Sequence, residues 1–229
     1  MIYTLTLHDK HALFVTNDGL KVLVDTGVPY TFFKQKLWNF EGTNYSTQTL
    51  ISGITVDVVS ELVGTEVNVL LGADIMSKFK ICLDYHNLTI SFEPLAYIID
   101  EGEKIQVQMY MGYMLLPVII NKQNVMGFLD TGAKLSYITE ELINGLEANP
   151  ERVKDFYIGI GEFETRTYTT KVTLSNGYSF QGTFGGDLPA QVTRQFLSGE
   201  RKAIIGSDLF FSCKKVWIDY TNSYIYIIK

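Results

Sequence analysis

The chain has 229 residues, of which 46% are hydrophobic and 19% charged, and its formal net charge is −6. That composition excludes long disordered stretches, and an acidic balance with no sustained Lys/Arg stripe speaks against nucleic acid as a partner. Two cysteines, Cys82 and Cys213, are too few for the disulfide framework of a small secreted domain; both read as reduced thiols, with a single bridge between them left open.

From the N-terminus, residues 1–10 alternate like a strand and lack the basic and continuous apolar regions of a signal peptide. The expected compartment is the cytoplasm, with export behind a removed signal peptide as the alternative. Alternating or β-branched runs predict strands over 2–7, 12–15, 20–24, 54–59, 80–84 and 88–92. In the second half they recur over 104–110, 115–120, 125–129, 162–174, 178–184, 215–219 and 224–228. Asn17, Asp18, Gly19 and Ser175, Asn176, Gly177 read as hairpin turns, because Asn and Gly accept left-handed backbone angles. Helical material is scarce: short helices are expected over 139–146 and 190–198, and one or two turns over 73–79 and 207–211. The apolar stretch 109–120 is interrupted by Gly112 and Pro117 and is too short to span a bilayer, so no membrane partner is expected.

The strands carry a repeat. An apolar run leads into Asp25, Thr26, Gly27, and another leads into Asp130, Thr131, Gly132. Downstream come Leu70, Leu71, Gly72, Ala73, Asp74 in one copy and Ile204, Ile205, Gly206, Ser207, Asp208 in the other. Each copy closes on Asp, Tyr, one residue and Asn: Asp84, Tyr85, His86, Asn87 and Asp219, Tyr220, Thr221, Asn222. Landmarks in the same order, twice, argue for two lobes, with the apolar pattern lapsing between 94 and 103. The second copy holds its insertion between Asp130 and Gly206, in the region of Gly159, Gly161 and the long alternation that follows.

Two carboxylates delivered by two copies of one element suggest a paired-acid site. Asp25 and Asp130, set about 3 Å apart, would share one proton, since two ionised carboxylates at that distance repel strongly. One would act as a base toward water while the other polarised a carbonyl, and residue type alone leaves open which does which. Gly27 and Gly132 would let the opposite lobe approach, and the Thr26 and Thr131 hydroxyls would bond backbone across the pseudo-axis. Leu71, Gly72 and Ile205, Gly206 are expected to pack behind the two Asp residues.

In these motifs the chain resembles the clan of aspartic peptidases that includes pepsin and the retroviral proteases, as a retropepsin-like pair of lobes in one chain. The resemblance implies an all-β, two-lobed acid-protease fold: tandem retropepsin-like β-barrel domains, 1–97 and 98–229, related by pseudo-two-fold symmetry. It further implies an endopeptidase that works through activated water, without metal or other cofactor. The implied partner is a polypeptide held extended in a cleft beneath mobile flaps, and two fused lobes make a monomer sufficient. A catalytically weak or inactive peptide-binding protein on the same fold is the alternative.

The chain departs from the family pattern at Val28 and Pro29, where a small or hydroxyl residue usually follows the motif. The first flap is expected within 41–53, with Tyr45 as the analogue of a flap tyrosine. The second is expected within 156–184, where Gly159, Ile160, Gly161 resembles a flap tip in composition; if this longer segment closes the cleft, the asymmetry is opposite to that of pepsin. Trp38, Phe40 and Tyr137 are read as either cleft or core, and Asp74 and Asp208 as caps of the turns after them. His8, His11 and His86 lack metal-ligand spacing, and His8 and His11 are read as surface residues.

Overall fold

The computed structural model describes residues 1–51 and 53–229. In chain order the strands of the first part are β1 (Ile2–His8), β2 (His11–Val15), β3 (Lys21–Val24), β4 (Phe32–Phe33), β5 (Leu37–Phe40), β6 (Thr43–Ser46), β7 (Val69–Leu71), β8 (Lys80–Asp84), β9 (Thr89–Glu93) and β10 (Glu103–Gln106). There follow β11 (Gln108–Tyr110), β12 (Tyr113–Ile120), β13 (Gln123–Leu129), β14 (Ser136–Ile138), β15 (Ala148–Tyr157), β16 (Gly161–Leu174), β17 (Ser179–Gly185), β18 (Arg201–Ile205), β19 (Lys215–Asp219) and β20 (Tyr224–Ile228). The helices are short: α1 (Val56–Val63), α2 (Ala73–Met76), α3 (Glu140–Ile143), α4 (Ala190–Phe196) and α5 (Asp208–Ser212). Among the described residues no helix is long and apolar enough to cross a membrane.

The fold is all-β. Strands β12, β13, β18, β14, β17 and β16 form a ring, closed by the pairing of β16 back onto β12. Closure removes the free edges an open sheet would leave. Strand β15 extends the ring as a long hairpin with β16, and β11 folds onto β12. A ten-stranded sheet runs β10-β20-β19-β8-β9-β1-β2-β3-β7-β4, and so joins strands from both ends of the chain. The two sheets share one wiring detail: β3 pairs parallel with β7 while β4 pairs antiparallel with β7, and β13, β18 and β14 repeat that arrangement.

The seam between the two ends of the chain is β8 against β19, in a register that sets Lys80 opposite Asp219, Cys82 opposite Trp217 and Asp84 opposite Lys215. All five residues of β8 are buried. The repeated Asp, Tyr, x, Asn motif has a local cause here. Asp84 accepts hydrogen bonds from the Asn87 backbone N–H at 2.7 Å and side-chain amide at 2.9 Å, and Asp219 does the same for Asn222 at 3.0 and 2.8 Å. These closed Asx turns hold Leu88 and Ser223 at φ of 52° and 58°. Lys80 Nζ lies 3.4 Å from Asp219 and donates to the Tyr97 carbonyl at 2.6 Å. Because the pair is buried, Lys80→Ala should leave a carboxylate without its counter-charge and cost about 3 kcal/mol, read as a lowered urea midpoint; an unchanged midpoint would contradict this.

Residues 54–59, expected as a strand, instead enter helix α1. The Val-rich run resembles a strand, but Val56, Val59 and Val63 fall on one helical face and all three are buried. Gly64 ends the helix with φ 78°, its N–H donating to the Ser60 carbonyl at 2.9 Å. That face packs into an apolar cluster with Leu13, Leu23, Val28, Phe32 and Leu70. Strand 104–110 is divided at Val107 into β10 and β11. Trp38 and Phe40 belong to the main core, where their rings stack with centroids 4.7 Å apart. Both cysteines are free and buried.

Candidate active site

Asp25 and Asp130 stand at the ends of β3 and β13, where each buried apolar strand leaves its sheet. The Asp25 N–H donates to the Leu71 carbonyl and the Asp130 N–H to the Ile205 carbonyl, both at 3.0 Å. Gly72 and Gly206 sit one residue further on, and their N–H groups donate to the hydroxyls of Thr31 and Ser136, each at 3.0 Å. A Cβ on Gly72 would strike the Tyr30 backbone carbonyl, and one on Gly206 that of Ala133. The apolar, apolar, Gly motifs therefore tie each Asp loop to the strand behind it.

The two loops interlock. Thr26 Oγ1 donates to the Leu129 carbonyl at 2.7 Å and accepts the Thr131 N–H at 3.0 Å. Thr131 Oγ1 donates to the Val24 carbonyl at 2.8 Å and accepts the Thr26 N–H at 3.0 Å. Both threonines are fully buried, so water cannot replace these bonds. A Cβ on Gly27 would fall on the Asp130 carboxyl group, and one on Gly132 on that of Asp25. Only glycine leaves room for the two acids to meet.

The two carboxyl groups differ in support. Asp25 accepts one backbone N–H, from Gly27 at 2.8 Å. Asp130 accepts two, from Gly132 at 2.9 Å and Ala133 at 3.1 Å. Burial pushes both above the ordinary carboxylate range, and the charge of Asp130 pushes Asp25 further. The extra donor favours the anion on Asp130 and leaves Asp25 the better holder of a proton. A carboxyl whose folded-state value is raised binds more protons folded than unfolded, so its contribution to stability falls as pH rises above the unfolded value near 4. Asp25→Asn should therefore melt higher than the parent chain at neutral pH, with the gain disappearing as pH falls toward about 4. A melting difference independent of pH would contradict the coupling.

Above the pair lies a cleft of about 310 Å³ lined by both acids, Gly27, Gly132 and residues from both sheets. The β15–β16 hairpin covers it, turning at Tyr157 to Gly161 with Ile160 N–H bonded to the Tyr157 carbonyl at 2.9 Å. Gly159 and Gly161 hold φ of 86° and 98° at this tip. Phe156, Tyr157, Ile158 and Phe163 of the hairpin line the cleft, while Phe156 and Ile158 also pack on the α1 cluster. Tyr157 and Tyr113 both feel the charges of Asp25 and Asp130, and burial pushes the Tyr113 hydroxyl up to about 12. From the 41–53 segment the described residues that line the cleft are Leu50 and Ile51, beside Val28, Pro29 and Phe32; Ser52, inside that segment, lies outside the described residues.

Two expectations fail here. Tyr45 lies on β6 and packs against the main core, because Phe40 of the same β5–β6 hairpin is buried against Tyr3, Phe14 and Phe92. His11, expected at the surface, is 2% exposed and lines the cleft. It opens β2 directly after the Asp9–Lys10 turn, and that turn is fixed by ion pairs from Asp9 to Lys134 and from Lys10 to Asp208, both 2.9 Å. Tyr137 also lines the cleft. Asp74 accepts the Ile75 N–H at 2.8 Å and the Thr31 hydroxyl at 2.7 Å, whereas Asp208 reaches the Thr183 N–H at 2.8 Å. Among the described residues no group of three His, Cys, Asp or Glu side chains could hold a metal ion.

No family model matches the chain, and no curated protein matches it. Among solved structures the chain is similar to a retropepsin-like aspartic protease from Rickettsia conorii, with a TM-score of 0.36 and 18% identity over 58% of this chain and 98% of that one.

Proposed function

We propose that the chain is an aspartic endopeptidase that cleaves an extended polypeptide by water activated between Asp25 and Asp130. The observation that carries this reading is the mutual approach of the two Asp loops, each carboxyl group resting against the other loop's glycine. Buried threonines hold them there, and a structural turn has no need of two repelling acids at such close range.

In the proposed reaction Asp130, the anion, takes a proton from a bound water as its oxygen attacks the scissile carbonyl carbon. Asp25 donates its proton to the carbonyl oxygen, which gives a neutral gem-diol. On collapse Asp130 returns its proton to the departing nitrogen, the C–N bond breaks, and Asp25 recovers a proton from a diol hydroxyl. The β15–β16 hairpin serves as the working flap, with Tyr157 beside the reacting centre, and lifts to admit substrate. We read residues 1–97 and 98–229 as two repeated lobes that each supply one acid and form the cleft between them, acting as a monomer in the cytoplasm.

The direct test is cleavage of a denatured protein mixture between about pH 3 and 8, with and without pepstatin. The expected result is pepstatin-sensitive hydrolysis with a bell-shaped profile, since catalysis needs one proton on the pair. Hydrolysis that rises continuously with pH would rule out a proton-sharing pair.

A further inference from the structure

The cleft contains a polar corner that the proposed reaction does not use. His11 comes from β2, Tyr137 from β14 and Asp155 from β15, three elements far apart in sequence, and all three side chains are buried. Tyr137 donates its hydroxyl to Asp155 Oδ2 at 2.5 Å, and Asp155 Oδ1 accepts the Phe156 N–H at 2.9 Å. The fixed donors to Asp155 hold its carboxyl group in place on the underside of the flap. Among the described residues His11 Nδ1 is buried without a partner, while the Gly132 backbone faces the same ring. The Phe156 ring lies over the imidazole, with centroids 5.9 Å apart.

A buried polar nitrogen without a hydrogen bond is costly, and native structures retain few of them without a use. Burial pushes His11 down to about 4, so at neutral pH the ring is uncharged and offers a lone pair. The ionisable groups around it are Asp9, Lys134 and His8, with the Asp155 carboxyl, bonded to Tyr137, in the same corner. Lys134 is already paired with Asp9, and its positive charge opposes entry of a second cation. Burial penalises any unpaired ion in the same space.

We propose that this corner is a subsite for an uncharged hydrogen-bond-donating side chain, an amide or a hydroxyl, of the bound polypeptide, which His11 recognises. The inference rests on the peptide-cleft reading above. The equivalent place at the other end of the cleft has the opposite chemistry. Tyr113 follows the Met111–Gly112 turn there, and that turn rests on Pro29 where the His11 end has Lys134. The two ends thus give the cleft a direction, polar at His11 and aromatic at Tyr113.

The test uses the 229-residue chain carrying Asp25→Asn, so that peptides bind without being cut. Extended peptides identical except for Gln, Ser, Met, Ala or Lys at one position, with that position stepped along the peptide, are titrated calorimetrically. At one position Gln should bind about tenfold more tightly than Met, and His11→Leu should reduce that ratio to within about twofold. Because His11→Leu can disturb packing, the ¹⁵N resonance of the His11 imidazole in the Asp25→Asn protein supplies a second readout: the Gln peptide should move Nδ1 and the Met peptide should not. No position preferring Gln to Met, a preference that survives His11→Leu, or Lys binding more tightly than Gln would overturn the subsite. Hydrolysis by the unsubstituted chain is scored separately. Binding preference without hydrolysis removes the endopeptidase reading and keeps the subsite, whereas hydrolysis without preference does the reverse.

Discussion

Asp130→Asn is expected to lower peptide hydrolysis by about 10,000-fold or more while the chain still folds cooperatively. The asparagine carbonyl oxygen can accept the same Gly132 and Ala133 N–H groups, so the loop keeps its shape. What disappears is the base, because an amide cannot take the proton of the attacking water. Asp25→Asn should be as inactive for the complementary reason: it can still donate a hydrogen bond but can no longer hand over a proton. Rates on a single peptide and urea unfolding of both variants settle the matter. If either variant kept more than about a hundredth of the parent rate with native stability, the two acids would not be acting as a unit.

The second large effect falls on Thr26→Val, which removes one hydroxyl and leaves the shape. Thr26 Oγ1 serves two buried backbone partners, the Leu129 carbonyl and the Thr131 N–H. Stripping both inside a region closed to water should cost about 4 kcal/mol, the sum of two buried unsatisfied groups at about 2 kcal/mol each. The damage should extend to catalysis, by about 100-fold, because a small displacement of one loop misaligns the acids. Thr26→Ser, which keeps the oxygen, should recover most of both losses. Thr131→Val strips a separate pair of bonds, to the Val24 carbonyl and the Thr26 N–H; added to Thr26→Val it should still cost less than the two singles combined, because the loop displaced by the first change has already weakened the second pair. Additive losses would show that the two hydroxyls act separately.

Much of this was legible from short-range chemistry. Asp, Thr, Gly after an apolar strand fixes a loop that needs glycine and a hydroxyl whatever surrounds it, and Asp84 with Asn87 closes its own turn within four residues. The strands followed from alternation, and the glycines at 159 and 161 marked a turn by their composition. What escaped was decided by distant partners. His11 looks like any polar residue beside a turn, and nothing local reveals that Phe156 will cover it. Tyr45 has the residue type of a flap tyrosine, yet the hairpin carrying it is drawn into the core by Trp38 and Phe40, the latter packing on Tyr3, Phe14 and Phe92. The run at 56–63 satisfies both periodicities, and the helix prevails because Val56, Val59 and Val63 find a ready apolar surface. The greater support of Asp130 was similarly hidden, since it depends on Ala133 offering an N–H that the turn at Val28 does not supply.

The β8–β19 seam has a consequence for assembly. Each strand begins with lysine and ends with aspartate, so each is self-complementary: a copy of β8 laid antiparallel on β8 would match charges as well as β19 does. Attraction between the ends therefore cannot distinguish a mixed pair from a homotypic one. That choice falls to the middle rung, where small Cys82 accommodates large Trp217, and where like against like would leave a gap in one case and a collision in the other.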